Sequence, residues 1–545
     1  MATALNLKRL RLARTSTSPL QGACSGLPPL EQLLVQGGDG RIALDVQRGV
    51  NKYGCLPQPD TGLMALGSST ASVISSTAFA ATERLWQRLL QCISAGEAAS
   101  QIYARELRRL RTELFQLCGV ADLAGLDVVF AASGTDLHLI AGRLMEGTPA
   151  LPGLAVMVDA VETGSGVASA LAGRHFNNRA ALGAVVSEGA TVSGGAMEVV
   201  TVALRNERGA PRPLTIIDAE VTELVEAAAA EGRRVLLTLV DVSKTGMIAP
   251  SPACALALQQ RWPETVEVLV DACQFRLAPA TVRAYLQQGF MLALTGSKFV
   301  TGPTFSGALF FPERIARQFR RRLLPRALAA YSARAEWPQA WATTGMLSET
   351  ANFGLLLRWQ AALEELRAFR ALPEAAVTGF LQNFARVITQ RLCHDSAFEA
   401  VAVPALERQS ITHSIAQPGT QAQCWDQVQT IFPFLLIHRR GQNKGRPLNR
   451  EETLRVYRLL QQDLSQQQSG VSIPGVGTDI STVASTRYQL GQPVACGEYD
   501  GDPVSALRIC ASARLIVEAL ADNGIHTSRV LASAMAALDK AAMLV

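Results

Sequence analysis

The feature that most restricts the fold is a series of short apolar segments that alternate with helical patterns after residue 126. A helical pattern, such as that of residues 219–231, separates two of these segments. Alternation of this kind is typical of a mostly parallel sheet that helices cover on both faces. We therefore predict an α/β fold, with a mostly parallel mixed sheet in a large domain and a smaller α+β domain at the C-terminal end. The predicted strands are residues 128–131, 154–158, 197–203, 235–240, 266–270 and 291–294.

Composition divides the chain into four regions. Residues 1–35 are predicted to form a flexible N-terminal extension. Residues 36–80 are rich in Gly, Ser, Thr and Pro, which predicts an irregular segment near the active site. Residues 81–345 contain most of the alternating strands and helices and form the predicted large domain. Residues 346–545 are predicted to contain a linking helix and the small C-terminal domain.

Bulk properties exclude several classes of protein. A chain of 545 residues, 48% hydrophobic and 18% charged, can bury a large core in more than one domain. The net charge of +5 is small for this length and does not indicate a nucleic-acid partner. No apolar run has the length of a membrane span. The ten scattered cysteines include no CxxC pair and indicate reduced thiols. We predict a cytoplasmic protein that binds neither membrane nor nucleic acid.

The N-terminal extension has two interpretations. Its first 30 residues contain Lys8, Arg9, Arg11 and Arg14 and no acidic residue. This composition resembles an organellar transit peptide. The alternative is a flexible bacterial extension.

Two successive predicted strands end in side chains that carry chemistry. The strand 266–270 leads into Asp271 and Gln274, and the strand 291–294 leads to Lys298. An acid, an amide and a lysine at neighbouring strand ends are what pyridoxal phosphate (PLP) chemistry requires. The lysine holds the aldehyde as a Schiff base, and the acid keeps the pyridine nitrogen protonated.

An earlier strand end predicts a phosphate site. Ser133, Gly134 and Thr135 follow the strand 128–131 and precede a helical pattern. A glycine between hydroxyls at such a turn leaves backbone N–H groups free, and the helix dipole favours an anion there. An ordinary helix N-cap by Ser133 or Thr135 is the alternative. Because Asp271 and Lys298 follow along the chain, we predict that these three residues bind the PLP phosphate.

The ordered set resembles the fold-type I PLP enzymes, within them the class V aminotransferase and cysteine desulfurase superfamily. That family shows Asp-x-x-Gln or Asp-x-x-His, then a lysine, then Gly-Pro and a glycine-containing strand, as in Asp271 to Gln274, Lys298 and Gly302-Pro303 here. The resemblance covers about residues 131–311.

The resemblance implies roles for these residues. Lys298 forms the Schiff base, Asp271 pairs with the pyridinium nitrogen, and Gln274 reaches the phenolic oxygen. It also implies a homodimer with active sites at the subunit interface, where Thr301 or Thr304 reaches the neighbouring subunit's phosphate.

Further cofactor residues follow from the same resemblance. The hydroxyls of Thr295 and Ser297, just before the lysine, are expected to contact the phosphate. Thr163 stands where the family often has a ring that stacks on the cofactor, and His138 and His175 are possible substitutes.

Two other segments extend the predicted site. Ser243 belongs to a hydroxyl-rich segment that resembles one near the cofactor, although Lys244 stands where an amide or hydroxyl is more usual. Arg508 resembles the small-domain arginine that grips a substrate carboxylate. Cys496, shortly before it, is expected to be a non-catalytic thiol, because its surroundings do not match those of a sulfur-accepting cysteine.

The leading hypothesis is a PLP-dependent enzyme that acts on an amino acid through Lys298, most simply as an aminotransferase. A cysteine desulfurase-like enzyme or C–S lyase is the first alternative. A non-catalytic binding protein on the same fold is the second. The predicted site includes no metal.

Overall fold

The computed structural model describes residues 26–192, 195–321, 323–412, 424–465 and 480–545. The basic stretch from Lys8 to Arg14 lies outside the described residues. The strands are β1 Leu63–Ala65, β2 Asp127–Ala131, β3 Gly153–Val158, β4 Met197–Val202, β5 Val235–Asp241, β6 Ile248–Ala249, β7 Val266–Ala272, β8 Met291–Thr295, β9 Gly307–Phe311, β10 Phe398–Ala400, β11 Ile431–Leu436, β12 Arg487–Gln489, β13 Gly491–Tyr499 and β14 Asp502–Cys510.

Helices flank these strands through the described ranges. They are α1 Leu30–Leu34, α2 Ser76–Ser94, α3 Ala99–Leu117, α4 Gly134–Met145, α5 Val167–Leu171, α6 Leu214–Ala230, α7 Pro252–Arg261, α8 Pro279–Gln287, α9 Glu313–Phe319, α10 Phe353–Arg370, α11 Glu374–His394, α12 Gln409–Thr412, α13 Arg450–Leu460, α14 Ile480–Ser485, α15 Ala513–Gly524 and α16 Thr527–Met543. In the described ranges no helix has both the length and the apolar character needed to cross a membrane.

A mixed sheet forms the centre of the large domain. Its strand order is β2-β9-β8-β7-β5-β3-β4, and β6 pairs with β5. The pairs from β8 through β7, β5 and β3 to β4 are all parallel, whereas β9 is antiparallel to both of its neighbours. The six predicted strands correspond to β2, β3, β4, β5, β7 and β8, so the predicted α/β fold is confirmed. Both faces are covered, because every residue of β5 and β7 is buried.

A smaller antiparallel sheet lies in the C-terminal part of the chain. Its order is β10-β11-β14-β13, and α11, α13, α15 and α16 accompany it in sequence. The predicted start of a helix at Asn449 is present, since Asn449 and Glu452 form a capping box at the beginning of α13. This region is the predicted α+β domain.

The N-terminal segment is anchored on α10 and β12. Leu30, Leu33 and Leu34 of α1 are buried, so the described part of the predicted flexible extension contains an ordered helix. Arg358 of α10 donates hydrogen bonds to backbone carbonyls just after α1, including that of Gly37. Farther along, β1 pairs in parallel with β12. Residues 36–80 are otherwise largely irregular, as the composition predicts.

A buried ion pair connects the end of β5 to the segment between β10 and β11 of the small sheet. Arg408 donates from Nε to Oδ2 of Asp241 at 2.7 Å and from Nη2 to Oδ1 at 2.5 Å. The hydroxyl of Tyr285 donates to the same carboxylate at 2.6 Å. Neither charge is accessible to water, so each depends on the other for compensation.

Arg408→Leu is expected to lower the free energy of unfolding by roughly 3–5 kcal/mol, because it leaves the Asp241 carboxylate buried without its partner. Urea unfolding measures the change. Arg283→Leu is the control, since its partner Asp122 is 71% exposed, and it should cost less than about 1 kcal/mol. Similar losses of unfolding free energy in the two variants would contradict the conclusion that Arg408 and Asp241 form a stabilising buried ion pair.

Candidate active site

The carboxyl ends of several strands of the large sheet open into one cavity, which β13 and β14 of the small sheet also line. A crevice outside the carboxyl ends of parallel strands is where α/β folds bind ligands. Most of the residues predicted for the cofactor and substrate line this cavity: Ser133, Gly134, Thr135, Thr163, Asp271, Gln274, Thr295, Ser297, Lys298 and Arg508.

Lys298 follows β8 in a tightly packed loop. A Cβ at Gly296 would lie 2.5 Å from Cβ of Ala362 on α10, and one at Gly302 would lie 2.6 Å from the same atom. Only glycine allows so close an approach of backbone and helix. The loop also holds Thr301 and Phe305 at positive φ angles of 66° and 76°, so the packing fixes the backbone on both sides of the lysine.

Asp271 lies at the end of β7 and pairs with a histidine. Its Oδ2 is 3.3 Å from Nε2 of His138, and its Oδ1 accepts a hydrogen bond from the backbone N–H of Cys273 at 3.1 Å. Nδ1 of His138 is 2.7 Å from the carbonyl oxygen of Gly134, which can only accept, so Nδ1 carries a proton. His138 therefore contacts Asp271, the predicted acid. These contacts do not give His138 the role of a ring that stacks on the cofactor.

The pairing of Asp271 with His138 determines the charge of both groups. Burial alone would raise the pKa of Asp271, but the facing His138 outweighs burial and holds that pKa well below its usual range. Burial alone would lower the pKa of His138, and the Asp271 carboxylate outweighs it, so that pKa is raised. The pair keeps a buried carboxylate ionised at the cavity wall.

The first turn of α4 forms the predicted phosphate site. Ser133 is the N-cap and accepts a hydrogen bond from the backbone N–H of Asp136 at 3.3 Å, so the N-cap interpretation is realised. A Cβ at Gly134 would lie 2.8 Å from Sγ of Cys273, which explains the glycine at this close approach. The N–H groups of Gly134 and Thr135 have no partner within the helix, and both residues line the cavity.

Arg41 is a cavity residue that sequence reasoning did not find. Its guanidinium donates to Oγ1 of Thr135 at 3.2 Å and to Oγ of Ser133 at 3.3 Å. Asp39 holds it through a 2.9 Å bond from Nε and a 2.6 Å bond from Nη2, and the ring of Phe305 lies 4.7 Å away. The positively charged guanidinium of Arg41 is therefore held beside the two hydroxyls of the predicted phosphate site.

Asp136, in the same turn, is only partly ionised near neutral pH. Burial, and then the neighbouring Asp39, raise the pKa of Asp136 to about 7. The hydroxyl of Ser133 donates to Oδ2 of Asp136 at 2.5 Å. An anion bound at this turn therefore meets less repulsion than it would if Asp39 and Asp136 were both fully ionised.

Arg508 lies on β14 at the far side of the cavity and is 1% exposed. It donates to the carbonyl oxygen of Lys244 at 3.2 Å, to Oγ1 of Thr70 at 3.1 Å and to the carbonyl oxygen of Gln492. Its Nε is buried without a partner, and within the described part of the chain it forms no ion pair with an acid. This guanidinium has unused hydrogen-bonding capacity for an anionic ligand.

Ser243 does not line the cavity. Its hydroxyl donates to Oε2 of Glu162 at 2.7 Å, and Thr245 and Arg205 contact the same carboxylate. The next residue, Lys244, does line the cavity. Successive residues after β5 therefore face opposite sides, which separates Ser243 from the other predicted cofactor residues.

Several other predicted residues have defined contacts. The hydroxyl of Thr295 donates to the carbonyl oxygen of Cys273 at 2.5 Å, and that of Thr163 donates to the carbonyl oxygen of Asp159 at 3.4 Å. Thr304 lines the cavity of its own chain. The homodimer remains a prediction.

Two residues considered in the sequence lie elsewhere. His175 contacts the hydroxyl of Tyr331 at 2.6 Å and stacks on its ring. Cys496 is buried against the carbonyl oxygen of Gly209 and does not line the cavity. Tyr53 and Phe305 are the aromatic residues at the cavity wall among those described. In the same described ranges, no group of three or more His, Cys, Asp or Glu side chains is arranged to hold a metal ion.

Comparison with known proteins gives matches in structure alone. No family model matches the sequence, and no curated protein matches it. A cysteine desulfurase from Escherichia coli is 15% identical, with a TM-score of 0.49 over 89% of this chain and 96% of that one. A cystine C–S lyase in complex with cysteine persulfide is 14% identical, with a TM-score of 0.47 over 85% and 97%.

A third solved structure, of a protein named SPT with PLP as an internal aldimine, is 13% identical, with a TM-score of 0.45 over 89% of each chain.

Replacing His138 with Asn is expected to destabilise the protein in a pH-dependent way. The raised folded-state pKa of His138 contributes stability that is fully present below the unfolded pKa of about 6.5 and is lost as the pH rises through the folded pKa. The difference in unfolding free energy between wild type and variant should therefore be largest near about pH 6 and shrink toward about pH 9 in urea unfolding.

His175→Asn provides a control of opposite sign. Burial lowers the pKa of His175, so protonation of this histidine opposes folding and its removal should help most at low pH. A His138→Asn difference that stays constant across the same pH range would contradict the ion pair with Asp271.

Proposed function

We propose that this protein binds PLP and acts on an amino acid through Lys298, as an aminotransferase. The observation that carries the proposal is the shared cavity of Lys298, the ionised Asp271 and the first turn of α4. A lysine, a buried carboxylate and an anion site are the three parts that hold this cofactor at its aldehyde, its pyridine nitrogen and its phosphate.

The donor set of the cavity fits PLP. The free N–H groups of Gly134 and Thr135, with the hydroxyl of Thr135 and the guanidinium of Arg41, suit a phosphate, whereas the hydroxyl of Ser133 is donated to Asp136. The guanidinium of Arg508, which lines the cavity, suits the carboxylate of an amino acid. Gln274 donates one amide N–H to the carbonyl oxygen of Ser69 at 3.0 Å, and its second N–H is available to the phenolic oxygen.

Each of these residues has a separate role in the proposed reaction. When bound, PLP supplies an aldehyde that accepts amines and a ring that draws electrons from the α-carbon of the substrate. Asp271, held ionised by His138, keeps a proton on the pyridine nitrogen. With PLP bound, the Lys298 amine would move the proton of the substrate α-carbon, acting first as general base and then as general acid. Arg508 orients the substrate by its carboxylate.

The thiols near the cavity favour aminotransfer over sulfur transfer. Cys496 lies outside the cavity lining. Cys273 lines it, but burial, and then the neighbouring Asp271, raise the pKa of its thiol well above the usual value. Such a thiol stays protonated and is a poor nucleophile. A desulfurase-like enzyme would therefore need a sulfur acceptor other than these two cysteines.

The PLP-loaded protein is expected to convert an amino acid and a 2-oxo acid into a different 2-oxo acid and a different amino acid. Mass spectrometry detects both products. Lys298→Ala should lower this turnover by about a hundredfold to ten-thousandfold, the range of a lost general acid–base. Lys444→Ala, on the surface, is the matched control and should leave it unchanged.

Other products would identify the alternatives. Alanine with sulfide or persulfide from cysteine would indicate a desulfurase-like enzyme. PLP uptake without turnover of any amino acid would indicate the non-catalytic protein.

Arg41→Met should weaken binding of PLP but not of pyridoxal, which lacks the phosphate. A hydrogen bond between charged groups contributes about 1.5–3 kcal/mol, which corresponds to roughly tenfold to hundredfold in affinity. Absorbance titration of the apoprotein measures both ligands, and Arg48→Met, an exposed arginine of the same segment, is the control. Equal weakening of PLP and pyridoxal would mean that Arg41 supports the cavity and does not bind the phosphate.

A further inference from the structure

Two positively charged side chains meet at the substrate side of the cavity without an acidic partner. Arg508 donates to the backbone carbonyl of Lys244 at 3.2 Å, so the two residues are adjacent. Both line the cavity. Among the described residues neither forms an ion pair with Asp or Glu. Burying charge without a counter-ion is costly unless a ligand compensates it.

The contacts of Lys244 leave one donor for a ligand. Its Nζ donates to the carbonyl oxygens of Ala160 at 3.2 Å and Val161 at 3.1 Å, and an ammonium group has three N–H donors. Burial, together with Arg508 and Lys298, lowers the pKa of Lys244 to about 8. The group therefore remains mostly protonated at neutral pH while repelling two neighbouring cations.

The nearby acids are already engaged. Glu162 accepts from Arg205, Ser243 and Thr245, and Asp159 accepts from the backbone N–H groups of Val161 and Glu162. Their charges act on Lys244 only at a distance. The positive charge of Lys244 is therefore open to an anion in the cavity.

The α-carboxylate of an amino acid compensates only one of the two cations. Arg508 gives one of its two Nη1 hydrogens to the carbonyl oxygen of Lys244, so the second can bind the α-carboxylate. This assignment leaves the Lys244 ammonium for another group of the same ligand. Lys52, exposed at the cavity rim, adds to the positive potential that an anionic substrate would meet on entry.

We propose that the substrate carries a second anionic group besides its α-carboxylate, and that Lys244 binds it. The inference rests on the proposed function, because it takes Arg508 as the site of the α-carboxylate. The ligand class is a short amino acid with a side-chain carboxylate or phosphate. Lys244 is then a specificity-determining residue.

Binding of unreactive analogues to the PLP-loaded protein tests the proposal. Isothermal titration compares butyrate, which has one carboxylate, with glutarate, which has two, and with 3-phosphonopropionate, which has a carboxylate and a phosphonate. Wild type should bind a dianion on the order of tenfold to hundredfold more tightly than butyrate, the effect of one added charge-assisted hydrogen bond. The preferred dianion distinguishes carboxylate from phosphate.

Lys244→Met should remove this preference and leave the affinity for butyrate within about threefold. Lys540→Met is the matched control, because Lys540 also donates to two backbone carbonyls and also has a pKa lowered to about 8, but lies outside the cavity lining. It should destabilise the protein and keep the preference.

Three results would overturn the proposal: no preference for dianions in wild type, a preference that survives Lys244→Met, or an equal loss of butyrate and dianion affinity in that variant. Its failure is distinct from failure of the proposed function. A protein that takes up no PLP refutes the cofactor, and the titration of the apoprotein still reports whether Lys244 selects dianions.

Discussion

The common direction of the parallel strands determines where this protein can place reactive groups. Because β3, β5, β7 and β8 run the same way, the residues that follow them meet at one edge of the sheet. Asp271 and Lys298 therefore share a cavity with residues far from them in sequence. Both side chains are buried at this edge, which makes the ion pair between Asp271 and His138 decisive for their charges.

The charged groups of the cavity are fixed before any ligand arrives. Asp39 and two hydroxyls hold the guanidinium of Arg41, whereas backbone carbonyls hold Arg508 and Lys244. Donors that are already oriented need no rearrangement when a negative group binds. Our proposals give the cavity two anion-binding ends, one at α4 and one between the sheets, and Lys298 and Asp271 line the same cavity.

Much of the fold and part of the site could be predicted because each depends on sequence patterns within a short segment of the chain. Buried parallel strands read as apolar runs, so β5 and β7 were predictable to within a few residues, and the residues after them had to lie at the sheet edge. Ser133, Asp271 and Lys298 were recognisable by their order after such strands. All of them line the cavity.

The rest depends on contacts between distant parts of the chain. Arg41 is 92 residues from Ser133 and lies in a segment without periodicity, where no pattern indicates which side chain turns inward. Ser243 was predicted beside the cofactor, yet the turn after β5 directs its hydroxyl to Glu162 and Lys244 to the cavity. The buried carboxylate of Glu162, 81 residues from Ser243 in sequence, binds the Ser243 hydroxyl. This contact determines which of the two neighbours faces the cavity.

The most direct measurement is to load the protein with PLP, reduce it with borohydride and map the modified lysine by peptide mass spectrometry. The cavity offers three lysines, namely Lys52, Lys244 and Lys298, so the position of the label discriminates among them. We expect the pyridoxyl group on the peptide that contains Lys298. A label on Lys244 or Lys52, or no label at all, would contradict the central claim that Lys298 and Asp271 form a PLP site.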